Sequence, residues 1–254
     1  MNGLGVILIA TGNYMKFVSN IIRSTTQNIG YRGSINFYIF TDLDNMNIKF
    51  DSNVRLLEYN FINWPYPTLM RYKGISTERD ILAREKHLLY LDVDMKVNLN
   101  CEELFDYNIF AVRHPGHKVT NRLPFESNKD SAAYIDSTTY STYVCGGVQG
   151  GISEAYLDAA ESIHNKIDLD LKNNHIAKWH DESYWNKYVY ENRKIKVLSS
   201  QYCWPEQWQS NNAPGKIIAL KKNHLDYRND KNFYKKAGFF LSDIRMKLLR
   251  PRSY

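Results

Sequence analysis

Apolar residues in this chain come in short unbroken runs that alternate with stretches of helical character. Leu4–Ala10 (LGVILIA) is apolar throughout and stops at Thr11-Gly12-Asn13, the length and boundary of a strand. Tyr14–Gln27 then reads as a helix, giving the strand-turn-helix opening that nucleotide-binding α/β domains often use. Ser34–Thr41 and Val54–Tyr59 read as strands and Thr68–Lys86 as a helical stretch. His87–Asp92 (HLLYLD) reads as a strand of the buried, parallel-sheet kind. The order β-α-β-β-α-β predicts an α/β sheet. Beyond it the pattern is less regular, with helices expected at Ser153–Lys172 and Asp181–Glu191 and short strands at Ile195–Leu198 and Lys216–Leu220.

With 254 residues, 43% of them apolar, the chain can bury one substantial core, so one domain over residues 1–230 is expected. No uncharged apolar run reaches the ~18 residues of a membrane span, and the first residues lack the basic segment and cleavage site of a secretory signal. A cytoplasmic location is therefore expected. Three scattered cysteines form neither a disulfide framework nor a CxxC metal site. The net charge of +6 resides entirely in residues 231–254, which hold seven Lys or Arg against one Asp. A nucleic-acid partner is not expected, because a basic tail is unlike a basic surface spread through a fold. Within that tail Phe240, Leu241, Ile244 and Leu248 fall on one helical arc edged by Arg245 and Lys247. This predicts an amphipathic helix in peripheral contact with anionic lipid on the inner membrane face, or else a helix packed on the domain with a solvated basic face.

Candidate chemistry gathers in three segments. Asp92-Val93-Asp94 follows directly on the strand, and the two-residue side-chain period points both carboxylates the same way, at the strand end where open α/β sheets bind ligands. Two hard oxygen ligands there suit Mn²⁺ or Mg²⁺ bridging to a diphosphate; a solvated acidic turn is the plainer alternative. Tyr143–Gly151 contains two glycine pairs, fit for a strand bulge or for close backbone approach to a ligand. Trp179-His180-Asp181-Glu182-Ser183 joins an aromatic platform to an imidazole and two carboxylates, or simply starts a helix with Asp181 as its cap. His114-Pro115-Gly116-His117 has zinc-ligand residue types without helical spacing.

Taken in order, YLDVDM, His114-Pro115-Gly116, the spaced Tyr143 and glycine pairs, WHDESYWNKY, Lys196–Ser199 (KVLS) and KKNH with Arg228 resemble glycosyltransferase family 6 over most of residues 5–230. That family holds the histo-blood-group A and B transferases, α1,3-galactosyltransferases and bacterial relatives. The resemblance implies a GT-A fold, a Rossmann-like mixed sheet flanked by helices in a single catalytic domain. It also implies a UDP-sugar donor, an oligosaccharide acceptor, Mn²⁺ as cofactor, and retention of anomeric configuration in an α1,3 linkage.

By the same resemblance Ile9, Ala10, Thr11 and Tyr14 hold uridine, Arg71 meets the donor, Asp92 and Asp94 bind the metal, and Val93 lies against the ribose. Gly146 and Gly147 line the donor sugar and Asp181 contacts it. Glu182 is the catalytic acid beneath the anomeric carbon, and Lys222 and Arg228 close over the diphosphate. His114 and Trp179 hold an acceptor galactose, with Cys145 and Glu206 placed beside them. Donor choice is expected to hinge on Gly147, where an alanine methyl would narrow the space for an acetamido group; this favours UDP-GalNAc over UDP-Gal and allows roughly 10–200-fold discrimination. No membrane anchor of the vertebrate kind is expected, and the Asn121–Lys129 loop is dissimilar to the vertebrate one. The chain departs from many bacterial members in keeping Asp-x-Asp rather than Asn-x-Asn. A non-catalytic glycan-binding protein is the alternative, against which intact Asp92, Asp94 and Glu182 argue. A nucleotidyltransferase would show a glycine-rich basic loop after the first strand, and Thr11-Gly12-Asn13 is not one.

Overall fold

A computed structural model describes residues 3–61, 63–117, 123–223 and 227; the expected amphipathic tail and Arg228 lie outside these residues. In chain order the elements are β1 (Leu4–Ile9), α1 (Val18–Asn28), β2 (Ile35–Thr41), β3 (Val54–Glu58), α2 (Tyr66–Leu69), α3 (Arg71–Thr77), α4 (Arg79–Leu82), β4 (His87–Leu91), β5 (Met95–Val97) and β6 (Ile109–Arg113). They continue with β7 (Val144–Ile152), α5 (Ser153–Lys172), α6 (His180–Glu191), β8 (Lys196–Leu198), β9 (Trp204–Pro205) and β10 (Ile217–Ala219).

Seven strands form one mixed sheet in the order β3-β2-β1-β4-β7-β6-β8, and β5-β10-β9 form a small second sheet. The first four are mutually parallel, while β7 runs against both β4 and β6. The central strands are apolar throughout because helices cover both faces. Val6, Leu8, Leu89 and Leu91 pack with Val18 and Ile21 of α1. Ile7, Leu88 and Tyr90 pack with Ile75 of α3, Leu157 of α5 and Tyr184 of α6. Each such buried aliphatic side chain contributes about 1.5–3 kcal/mol.

Two expectations change in detail. The helix expected over Tyr14–Gln27 opens as a 3-10 segment, Gly12–Phe17, and becomes α-helical only at Val18. The stretch Thr68–Lys86 is three short helices, interrupted at Met70 (ψ 10°) and Glu78 (ψ 21°). Apolar spacing records which side chains are buried but not these local departures from helical ψ. The first break starts α3 at Arg71, whose side chain is buried against the start of β7.

Candidate active site

The site grows from an unfinished strand. Because β7 is antiparallel to its neighbours, its first residues lie beside the carboxyl ends of β4 and β6. Its pairing with β4 begins only at Val148, opposite Leu91. Its pairing with β6 skips from Cys145–Val112 to Gln149–Ala111, leaving Gly146–Val148 as a bulge. Backbone polar groups left over by such geometry need partners when buried, and here functional side chains supply them.

Asn186 Oδ1 accepts the Val144 N–H at 2.9 Å, and its Nδ2 donates to the Val144 carbonyl at 2.8 Å and the Glu182 carbonyl at 2.9 Å. The Gly146 N–H donates to Glu182 Oε2 at 2.8 Å. The Gly146 carbonyl accepts from Arg71 Nη1 at 2.5 Å and from Gln149 Nε2 at 2.8 Å. Tyr72 in turn donates its hydroxyl to Gln149 Oε1 at 2.9 Å, and the Asp92 N–H donates to the Gly147 carbonyl at 2.9 Å. Asn186, Gln149 and Tyr72 were given no role by sequence reasoning; Asn186 lies inside the WHDESYWNKY segment, the one signal that could have found it.

Arg71 is the electrostatic centre. Its side chain is only 3% exposed, with Nη2 2.8 Å from Asp181 Oδ2 and 3.6 Å from Asp92 Oδ1, and its guanidinium 4.2 Å above the Tyr90 ring. Burial opposes its charge, but Asp181, Tyr90 and Asp92 more than offset that, so it stays protonated. Burial pushes Asp181 up to about 7, with Arg71 opposing and Asp92 and Glu182 adding to the rise. Burial likewise pushes Glu182 up to about 7, opposed by hydrogen bonds from the Gly146 N–H and the Tyr143 hydroxyl, the latter at 2.8 Å. Both acids occupy the first turn of α6, where the helix dipole favours the ionised form.

The Asp92–Asp94 pair fits a hard divalent cation. Asp92 keeps 38% of its side chain exposed, and its Oδ1 is already committed to the Tyr90 hydroxyl at 2.9 Å. Asp94 Oδ2 is paired with the Lys222 ammonium, so a cation already neutralises it. Among the described residues no three His, Cys, Asp or Glu side chains cluster tightly enough to hold a metal by themselves. Water and a ligand's phosphate oxygens would complete the shell, the usual manner of Mg²⁺-like sites.

At the carboxyl end of β1, Ile9, Thr11 and Tyr14 are half-buried and Ala10 is buried. Their turn is held by Asp42, which accepts the Gly12 N–H at 2.5 Å; Gly12 adopts φ 53°, where a side chain would be strained. Lys222 lies 4.9 Å above the Tyr14 ring, and Tyr227 packs against it at 5.3 Å. Val93 is buried at the turn between the two acids.

On the opposite side His114 packs edge-on against Tyr143, 5.8 Å between ring centres, and burial pushes its pKa down to about 4. The ring is thus neutral at physiological pH. Because Nδ1 accepts the Gly116 N–H at 3.0 Å, the hydrogen-bond pattern assigns the proton to Nε2. Trp179 is half-buried next to the Leu123, Phe125, Ile135 and Tyr143 cluster. Cys145 turns into the core, where it is 3% exposed and touches Cys203. Glu206 is exposed, and its Oε2 accepts the Lys221 N–H at 2.8 Å, so it anchors the segment that carries Lys222.

The two glycine pairs serve different ends. A Cβ on Gly150 would lie 2.3 Å from the Leu88 carbonyl oxygen, and one on Gly151 would lie 2.0 Å from that of Asn108; these glycines let strands approach. A Cβ on Gly146 would meet Asp181 Oδ2 and Glu182 Cβ at an ordinary 3.5 Å, whereas one on Gly147 would fall 2.6 Å from both Asp92 Oδ2 and Met95 Cε. The first pair therefore borders the acids.

Comparison with known proteins agrees with this picture. The family model for glycosyltransferase family 6 matches residues 2–229. The O-antigen biosynthesis glycosyltransferase WbnI of Escherichia coli is 27% identical over 234 residues, covering 90% of this chain and 99% of its own. Histo-blood group ABO system transferase 2 of Rattus norvegicus is 28% identical over 238 residues, covering 89% and 71%. Globoside alpha-1,3-N-acetylgalactosaminyltransferase 1 of Gallus gallus is 29% identical over 250 residues, covering 89% and 69%.

Proposed function

Because the chain belongs to glycosyltransferase family 6, we propose that it moves GalNAc, or Gal, from a UDP-sugar to the 3-hydroxyl of a fucosylated galactoside in α1,3 linkage, with retention and with Mn²⁺ as cofactor. Family membership makes a nucleotide-sugar donor and a glycan acceptor its partners. The observation that carries the finer reading is the convergence of Glu182, Asp181, Arg71 and Asp92 on the bare backbone of Gly146 and Gly147.

Cleavage of the sugar-phosphate bond leaves negative charge on UDP and positive character on the sugar carbon. Glu182, held by the Tyr143 hydroxyl and the Gly146 N–H, presents its carboxylate to that carbon without having to reorganise, which is how fixed charges act most strongly. Arg71 lies against both Asp181 and Asp92 and opposes the rise that burial gives Asp181. Asp92 and Asp94 would hold the metal, which supplies Lewis-acid stabilisation worth several kcal/mol to the departing diphosphate. His114 offers its Nε2–H to an acceptor hydroxyl while Trp179 provides an apolar face for the sugar ring. Incubation with UDP-GalNAc or UDP-Gal and a fucosylated galactoside, with and without Mn²⁺, tests this; product is read by mass and its anomeric configuration by NMR. Absence of product from either donor, or a β-linked product, would overturn it.

A pH profile follows from the burial of the two acids. If ionised Asp181 and Glu182 are required, kcat/KM rises with pH through about 7. The Tyr143 hydrogen bond favours the ionised form of Glu182, so Tyr143→Phe should move the acid limb to higher pH; an unmoved limb would remove Glu182 from the profile.

The adjacent glycines should separate sugar fit from metal binding. Gly146→Ala introduces no clash and no disfavoured φ. The fold should therefore keep its melting temperature while the methyl, standing before both acids, lowers kcat/KM for both donors by roughly 10–200-fold. Gly147→Ala displaces Asp92 Oδ2, so its apparent Mn²⁺ affinity should fall with either donor, in addition to a shift toward UDP-Gal. Metal titrations of initial rate with each donor distinguish the two; equal Mn²⁺ dependence in both variants would contradict the assignment.

A further inference from the structure

Lys222 holds a position that a sugar-transfer site does not obviously need. Its ammonium is paired with Asp94 Oδ2, and the two side chains are only 11% and 14% exposed. The segment carrying it is tied down by three independent contacts. The Leu220 N–H donates to the Asp94 carbonyl at 3.0 Å. The Lys221 N–H donates to Glu206 Oε2 at 2.8 Å. Beyond it the Tyr227 ring lies 5.3 Å from Tyr14 and 5.1 Å from Phe17. Lysine and acid are therefore a built pair rather than a chance meeting of flexible surface groups.

The pair has a consequence for the cation. A divalent ion taking Asp94 Oδ2 as a ligand must displace an ammonium from the same oxygen, and in a site shielded from water two positive charges on one carboxylate oxygen repel strongly. Once displaced, the ammonium remains tethered beside Tyr14, at the nucleoside end of the site, where it needs another anion. A diphosphate supplies that anion and ligates the ion at the same time.

We infer that Lys222 is a competitor for the metal built into the site, which keeps the ion's affinity low until a nucleoside diphosphate arrives to receive the displaced ammonium. Metal and nucleotide consequently bind with positive coupling, and by linkage each raises the other's affinity by the same factor. This inference rests on the metal-dependent reading above. It adds that Lys222 is the source of the coupling between metal and nucleotide.

The test is direct binding of Mn²⁺ to the full chain, followed by the loss of the free-ion EPR signal, with and without UDP. Lys222→Met keeps the side-chain stem and removes the charge. It should bind Mn²⁺ at least about tenfold more tightly than wild type without UDP, and UDP should then enhance its binding by a correspondingly smaller factor. Glu206→Ala leaves Asp94 and Lys222 intact but frees Lys221, and should move nucleotide-free affinity the same way by a smaller amount. Should Lys222→Met fail to fold, the Glu206→Ala titration decides the matter alone. Unchanged or weaker nucleotide-free Mn²⁺ binding in the folded variants overturns the inference while leaving metal dependence intact. A wild-type chain that takes up no Mn²⁺ even with UDP overturns both.

Discussion

Replacing Glu182 by glutamine is expected to lower kcat by roughly 10²–10³-fold while raising the melting temperature at pH 8. The loss follows from removing the charge that touches both the Gly146 N–H and the Tyr143 hydroxyl. The gain follows from linkage. Burial raises Glu182 to about 7 in the folded chain, so the native state holds that proton more tightly than the unfolded one. Stability from this group is complete below the ordinary carboxylate range and is lost as pH rises through about 7. Glutamine carries no charge to desolvate and escapes that loss. Its oxygen can take the Gly146 N–H while its amide donates to the Tyr143 oxygen, so both neighbours keep one hydrogen bond to residue 182. Turnover assays with thermal melts at pH 5 and pH 8 check both halves: the melting advantage of the variant should grow with pH. A variant that retains turnover, or that melts below wild type at pH 8, would contradict the role assigned to Glu182.

Arg71→Ala should be the most damaging single change to the fold near the site. It leaves Asp181, 3% exposed, and the Gly146 carbonyl without their guanidinium partner, and removing one member of a buried ion cluster costs about 3–5 kcal/mol. For a chain of this size that corresponds to a fall in melting temperature on the order of 10 °C, and transfer should be lost with it. Arg71→Lys should rescue little, because one ammonium cannot reproduce the planar fork that reaches a carbonyl and two carboxylates together. Adding Asp181→Asn to Arg71→Ala removes the stranded charge and should recover part of the stability but none of the activity. Calorimetric melts of the three variants decide this; an Arg71→Ala chain that melts like wild type would show that the cluster contributes no net stability.

Several features were legible in the residue pattern because they depend on local chemistry. Apolar runs marked β1, β2 and β4, since strands covered on both faces show no polar alternation. The acids after HLLYL and the WHDES cluster stood out as candidates because they lie at a strand end and a helix start, although a solvated turn and a helix cap would show the same residue types. The orientations of Glu206 and Cys145 were not legible for a common reason. Each lies next to residues that bear on the site, and chain proximity does not reveal which way a side chain turns. The breaks at Met70 and Glu78 escaped notice because apolar spacing survives a kink that changes only one ψ angle.

The sequence by itself determined the α/β class, the order of the central strands and helices along the chain, the family resemblance, and which acids are candidates for the chemistry, because periodicity and residue type are properties of short segments. Only the tertiary structure decided that β7 runs antiparallel and bulges at Gly146–Val148, so that Asn186, Glu182, Arg71 and Gln149 become hydrogen-bond partners of the backbone in and before the bulge. It alone decided which glycine pair faces the acids, and that Lys222 rests on Asp94. These are contacts between residues far apart in the chain. They arise because buried backbone groups and buried charges must find partners wherever the folded chain brings them, a requirement that no local pattern records.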